Sequence, residues 1–279
     1  MVMCFTAVMN PSTSSLQNTL KQARHARRLS QLELSLRVGV SQRHLSFVES
    51  GRAKPSRQLL MAWLQELEAP LALRNAAMLQ AGYAPVFGAA PLSDPSMAAA
   101  HSAVVQLLKS HDPMPAFVID AHWNLLRFNQ GGQWLAATLM PWITALPATS
   151  PLNMLDLLVH PQGFASQLLN LSEVGPVLLS HLRGEASLQP AIAAKVNAFA
   201  DYLGQHTGVQ NPAPHLPRHT FPMLTSRFAT DYGELTFFSM FTTFGTPQDI
   251  TLESLRVEHM FAADAATATV LKREVSALQ

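Results

Sequence analysis

Cysteine is nearly absent: Cys4 stands alone among 279 residues. With a single thiol no intramolecular disulfide and no thiolate metal cluster can form, and the reducing cytoplasm is the compartment that such usage fits. Long apolar runs are missing as well. The longest uncharged stretch, residues 128–155, is broken by Pro141, Pro147 and Pro151, whereas a membrane-spanning helix needs about twenty mostly apolar residues. There is no Gly-x-Ser-x-Gly elbow, no phosphate-binding glycine loop and no His-Glu helical motif, which argues against hydrolase chemistry, and the chain is expected not to be an enzyme. Eleven histidines do not make a metal site. His215 and His219 are four apart, but Pro214 and Pro217 forbid the regular helix that would align them. His160, before Pro161, reads as a helix end rather than a haem ligand. No metal or cofactor is expected, and the absence of internal repeats argues against a helical-repeat sensor.

What is present is unevenly distributed. The net charge of +1 divides near residue 88 into +6 and −5, with ten lysines and arginines against four acids before that point and nine against fourteen after it. A small basic module joined to an acidic one fits a phosphate-facing domain plus a domain that need not touch nucleic acid. The expected organisation is a flexible tail over residues 1–14, a helical domain over 15–87, a linker and connecting helix over 88–111, and a second domain over 112–279. The tail, in MVMCFTAVMNPSTSS, lacks the basic n-region of a secretory signal. The linker, APVFGAAPLSDP from Ala84 to Pro95, has no helical stripe.

The most informative stretch is SQLELSLRVGVSQRHLSFVESG, Ser30 to Gly51. Ser30 and Glu33 form a capping box, so a helix starts near Gln31. Leu34 and Val38 share one face, and small Ser35 leaves room for a second helix. Gly39 ends the first helix, because the turn needs a left-handed backbone that glycine adopts at little cost. Ser41 caps the second, whose inward face carries Leu45 and Val48. Before this pair, Leu16, Leu20 and Ala23 give a helix to Arg28. After it, Leu60, Trp63, Leu64 and Leu67 stripe a fourth helix, and Pro70 opens a fifth that Gly82 closes. Trp63 on an apolar stripe reads as core rather than as a base-stacking group.

These residues resemble the Cro- and phage-repressor-like helix-turn-helix family, often called XRE-type. The matching positions are Leu20 and Arg24, Ser30-Gln31, Glu33-Leu34, Gly39-Val40-Ser41, Leu45-Ser46, Glu49, Gly51-Arg52 and Pro55-Ser56. The resemblance implies sequence-specific binding of double-stranded DNA, with Arg24 paired to Glu49 at the end of the recognition helix. Such a helix presents its N-terminal residues to base edges in the major groove, so Gln42 and Arg43 are the expected readers, for adenine and guanine. Phe47, one turn on, either contacts a thymine methyl or packs against its own domain. Gln31, Arg28, His44, Arg52 and Lys54 are placed for phosphate. One short helix reads few bases, so a homodimer on a palindromic operator is expected.

From Pro115 the pattern changes. PAFVID and WNLLRFN read as two strands joined at Ala121-His122, followed by Asn129 as a helix cap. Helices are expected over 153–159, 163–171, 174–182 and 190–204, strands over 221–228, 235–244 and 250–261 with a turn at Asp231-Tyr232-Gly233, and a last helix over 263–275. The segments PAFVID, WNLLRFN, NMLDLLVHP, LTFFSMFTTFG and ITLESLRVEHMF resemble MmyB-like ligand-binding domains, which implies a PAS-like fold with an apolar, fatty acid-like ligand. Phe237 and Phe241 fall on one face of their strand and Met240 on the other, consistent with a pocket or with plain core. Trp134 and Trp142 either wall a pocket or belong to the core. Arg227, Arg256 and His259 either meet an anionic head group or, for the arginines, form surface salt bridges.

The expectation is an α+β, two-domain regulator of transcription, a repressor-like five-helix domain followed by a PAS-like antiparallel sheet with helices, cytoplasmic and dimeric, sensing a small apolar ligand. The alternative is a DNA-binding scaffold whose second domain dimerises or recruits a protein without a ligand.

Overall fold

In a computed structural model of the chain, residues 15–147, 150–208 and 223–277 are described. The expected tail and the His215/His219 pair lie outside them, as does the beginning of the strand expected over 221–228. The chain divides into two compact units. The first ends at Pro91 and includes Thr246–Glu253; the second comprises Leu92–Gly245 and the residues from Ser254 onward.

The first unit holds five helices, α1 (Leu16–Ala26), α2 (Gln31–Arg37), α3 (Gln42–Glu49), α4 (Arg57–Glu66) and α5 (Leu71–Gln80). Four of the five begin at a serine whose hydroxyl accepts a backbone N–H of the first turn: Ser15, Ser30, Ser41 and Ser56. Ser30 and Glu33 make the full reciprocal box, satisfying two N–H groups that a helix start leaves free. Gly39 has φ +72°, the left-handed turn between α2 and α3. Leu20, Leu34, Leu45, Val48, Leu60, Leu64 and Met78 fill the core, and Trp63 is fully buried among them, which removes it as a base-stacking group.

Helix α5 starts differently. Pro70 offers no side-chain cap, and both carboxylate oxygens of Glu253 accept the Leu71 N–H, at 2.8 and 3.1 Å. Glu253 arrives on the segment Thr246–Glu253, which Asp249 anchors by accepting Ala90 N–H at 3.3 Å while Ile250 N–H donates to Gly88 O.

The second unit begins with α6 (Ala98–His111), then β1 (Ala116–Ile119), β2 (Asn124–Phe128), α7 (Gln130–Leu139), β3 (Leu152–Asn153), α8 (Met154–Val159), α9 (Leu171–Leu188), α10 (Ala193–Thr207), β4 (Ser226–Thr230) and β5 (Gly233–Thr243); after the first unit's segment Thr246–Glu253, which carries nearly all of α11 (Ile250–Ser254), it resumes with β6 (Arg256–Ala262) and α12 (Ala265–Ser276). The strands form one antiparallel sheet in the order β3-β2-β1-β6-β5-β4. Alternation sorts its faces. Ala116, Val118 and Val257 pack against Val104 and Leu108 of α6. On the other face, Phe117, Phe237 and Met260 pack against Trp134 and Leu135 of α7 and Leu271 and Val275 of α12. Ile119 joins Leu179, Leu182, Val196 and Phe199 of α9 and α10. Buried Asn129 ties these pieces together: its Oδ1 accepts the N–H groups of Gly132 and Ala116, and its Nδ2 donates to Met114 O.

Three expected elements differ. The strand over 250–261 is a helix, α11, followed by β6, because Asp249 accepts the Thr251 N–H at 2.8 Å and so caps a helical turn. Residues 163–171 yield only a single 3₁₀ turn, Phe164–Gln167, and α9 runs from Leu171 to Leu188, longer than its apolar stripe and straight through Pro176.

Candidate nucleic-acid interface and sensor site

Helix α3 turns Leu45, Val48 and Glu49 into the core, which leaves Gln42 and Arg43 exposed and His44 and Phe47 half-buried. The two options for Phe47 meet in one geometry. Its ring is part-covered by its own domain, while the guanidinium groups of Arg43 and Arg52 lie 5.3 and 5.9 Å from its centroid, within cation–π range. Arg28 and Lys54 are exposed as well, and Lys54 Nζ sits 5.0 Å from the Tyr83 ring.

Beneath this surface Arg24 and Glu49 are paired in fork geometry, Nε to Oε1 at 2.7 Å and Nη2 to Oε2 at 2.9 Å, with both side chains buried. The remaining arginine nitrogen, Nη1, donates to Leu29 O at 2.7 Å. Gln31 is placed differently from the other phosphate candidates: it is half-buried and its amide donates to Glu49 Oε2 at 2.8 Å. Burial alone would raise the Glu49 carboxyl, but the hydrogen bonds from Arg24 and Gln31 outweigh it and hold the group below the usual carboxylate range. The pair joins the start of the domain to the end of α3 and thereby fixes the reader helix.

In the second unit the eight residues expected around a pocket do not converge. Trp134 and Phe237 belong to the buried core. Trp142 stacks on His160 at 4.1 Å and donates its Nε1–H to Gln162 O. Met240 and His259 are cross-strand partners on the α6 face of the sheet, whereas Phe241 pairs with Glu258 on the opposite face. His259 is buried with its ring 4.7 Å from that of His111; burial, and then the neighbouring imidazole, push its pKa down, which disfavours the cation that an anionic head group would need. Arg227 lies 3.5 Å from Glu234.

Arg256 is held by Glu185, with Nη1 and Nη2 on the two carboxylate oxygens, and its guanidinium lies 5.0 Å from the Trp123 ring and 5.7 Å from Phe241. Trp123 Nε1–H and His181 Nε2 also reach Glu185. Burial opposes the charge of this carboxylate, yet the bonds from His181, Arg256 and Trp123 bring its pKa down to about 2. Sequence reading passes over Glu185, because its partner Arg256 lies 71 residues away and no local pattern links them. An apolar cavity of about 90 Å³ between α6 and the strands, lined by Val104, Leu107, Phe244, Leu255 and Val257, is well below the roughly 300–1,000 Å³ of small-molecule sites. Among the described residues no helix is long and apolar enough to cross a membrane.

Comparison with known protein families gives two matches. Residues 20–73 match a helix-turn-helix family, and residues 100–273 match the MmyB-like transcription regulator ligand binding domain. No curated protein matches the chain significantly.

Proposed function

The chain belongs to the MmyB-like transcription regulators, with a helix-turn-helix domain for DNA and a ligand-binding domain, and from this premise we propose that it binds a palindromic DNA site as a homodimer, with a small, mostly apolar molecule in the second domain setting its affinity. The observation that carries the DNA half is the surface of α3, where Gln42 and Arg43 are exposed at the start of a helix whose far end is fixed by the buried Arg24–Glu49 pair, in a domain that also exposes Arg28, Arg52 and Lys54. Arg43 forks onto a guanine and Gln42 onto an adenine, while the flanking cations contact phosphates and, with a hydrogen bond from His44, set register. The ligand acts only through a difference in its affinity for two arrangements of the dimer.

Two substitutions separate these roles in fluorescence-anisotropy titrations of the full chain on duplex DNA. Arg43→Ala should relax base preference at one position of each half-site, a loss of about 1 to 3 kcal/mol of discrimination. Lys54→Ala should weaken every sequence alike and reduce the salt slope by about one unit. The reverse pattern would overturn both assignments.

A further inference from the structure

The chain passes between the two units at residues 91–92, 245–246 and 253–254. At or beside the second-unit ends of these crossings stand Leu92, Phe244 and Leu255, and all three belong to one apolar cluster. Leu255 is fully buried there with Val104 and Leu108 of α6, while Leu92 and Phe244 pack against it. The first-unit ends gather on α5. Asn75 of that helix holds the linker, its Oδ1 accepting the Val86 and Phe87 N–H groups and its Nδ2 donating to Phe87 O. The linker holds the returning segment, because Ile250 N–H donates to Gly88 O and Asp249 Oδ2 accepts Ala90 N–H. Glu253 completes the ring on the Leu71 N–H at the start of the same helix.

Two crossings leave a single residue between a hold in one unit and a hold in the other. Pro91 separates bonded Ala90 from Leu92, and Ser254 separates Glu253 from Leu255. Proline fixes its own φ, and Ser254 is the last residue of the short helix α11. One residue reaches at most about 3.6 Å, so neither crossing has slack to absorb a displacement of the cluster. The cavity of about 90 Å³ beside Leu107, Phe244 and Leu255 gives that cluster room to repack. Ala77 and Met78 of α5 share a core with Leu45 and Val48 of α3, so a shift of α5 bears on the reader helix.

We propose that Glu253 is a positioning residue, and that the segment Thr246–Glu253 is the strap by which a change of packing under α6 reaches α5 and the DNA-binding unit. The inference rests on the reading of the second domain as a sensor and names its output route. Without Glu253 the Leu71 N–H returns to the free donors of a helix start, and the strap loses its grip on α5.

Hydrogen exchange in the full chain tests the route without ligand or DNA. Leu107→Ala, which enlarges the cavity, should speed exchange in peptides of α6 and, through the strap, in those of α5 by at least about threefold. Glu253→Ala alone should speed exchange in α5, and adding Leu107→Ala to it should still loosen α6 but leave α5 within about 1.5-fold. Gly88→Ala, whose added methyl would stand 2.6 Å from Asp249 Oδ2, breaks the strap at its other hold and should block the transfer in the same way if Glu253→Ala fails to fold. An equal effect of Leu107→Ala on α5 with and without the strap would reduce Glu253 to a plain helix cap and overturn the proposal. So would an α5 that ignores Leu107→Ala in the otherwise wild-type chain. The sensor reading is judged separately, by native mass spectrometry of the purified chain for a retained small molecule.

Discussion

Arg24→Met and Glu49→Leu should each destabilise the first unit by about 3 to 5 kcal/mol, because each leaves its former partner as a lone buried charge. The double variant should lose far less than the sum of the two. The distinction matters because a buried ion pair contributes little over an apolar isostere, whereas half of one is costly. The fork geometry, the third bond from Arg24 to Leu29 O and the fourth from Gln31 to Glu49 make this a network rather than a surface contact. Urea titration of the full chain, read by hydrogen exchange in the peptides of residues 15–80, isolates the first unit from the second. Additive losses would show that the two residues act independently. The single variants should also lose DNA affinity ahead of global unfolding, since the pair holds the end of α3.

Acidification should strike the second unit through Glu185. Its carboxyl titrates at about 2 instead of 4.5, so the folded state holds the charged form more strongly than the unfolded chain does. For a group depressed in this way the stabilisation is complete above the unfolded value and disappears as the pH falls from about 4.5 towards 2. The shift corresponds to roughly 3 kcal/mol as an upper bound, reduced by whatever solvent screens the partly exposed carboxylate. Thermal melts between pH 7 and pH 2.5 should therefore show wild type losing stability over that window. Glu185→Gln should be less stable than wild type at pH 7, with Arg256 left short of its charge partner, and flatter below pH 4.5. Identical slopes for the two proteins would place the acid sensitivity elsewhere.

These two networks also show what the sequence could reveal. The helix-turn-helix was legible because its determinants are local: the Ser30/Glu33 box, Gly39 at its left-handed turn and the Ser41 cap all act within one helical turn. Phe237 and Phe241 were correctly assigned to one strand face and Met240 to the other, since side-chain alternation depends on the backbone alone. What alternation does not reveal is the cover. It gave Phe237, which is core, and Phe241, which is exposed, the same standing. The arginines were chosen by residue type, and their true partners depend on tertiary pairing: Glu185 with Arg256 across 71 residues, Glu253 on the Leu71 N–H across 182. Residues 250–254 were expected to open the strand over 250–261, and the cap from Asp249 decided for a helix.

The most direct test of a DNA-reading regulator is selection of binding sites by the purified full chain from a pool of random duplexes, at a stated salt concentration. A dimeric reader should enrich a motif of two inverted half-sites with centres about 34 Å, or one helical turn, apart, with the preference at one position of each half lost in Arg43→Ala. Recovery of a pool with no enriched sequence, bound with an affinity set by salt alone, would contradict it.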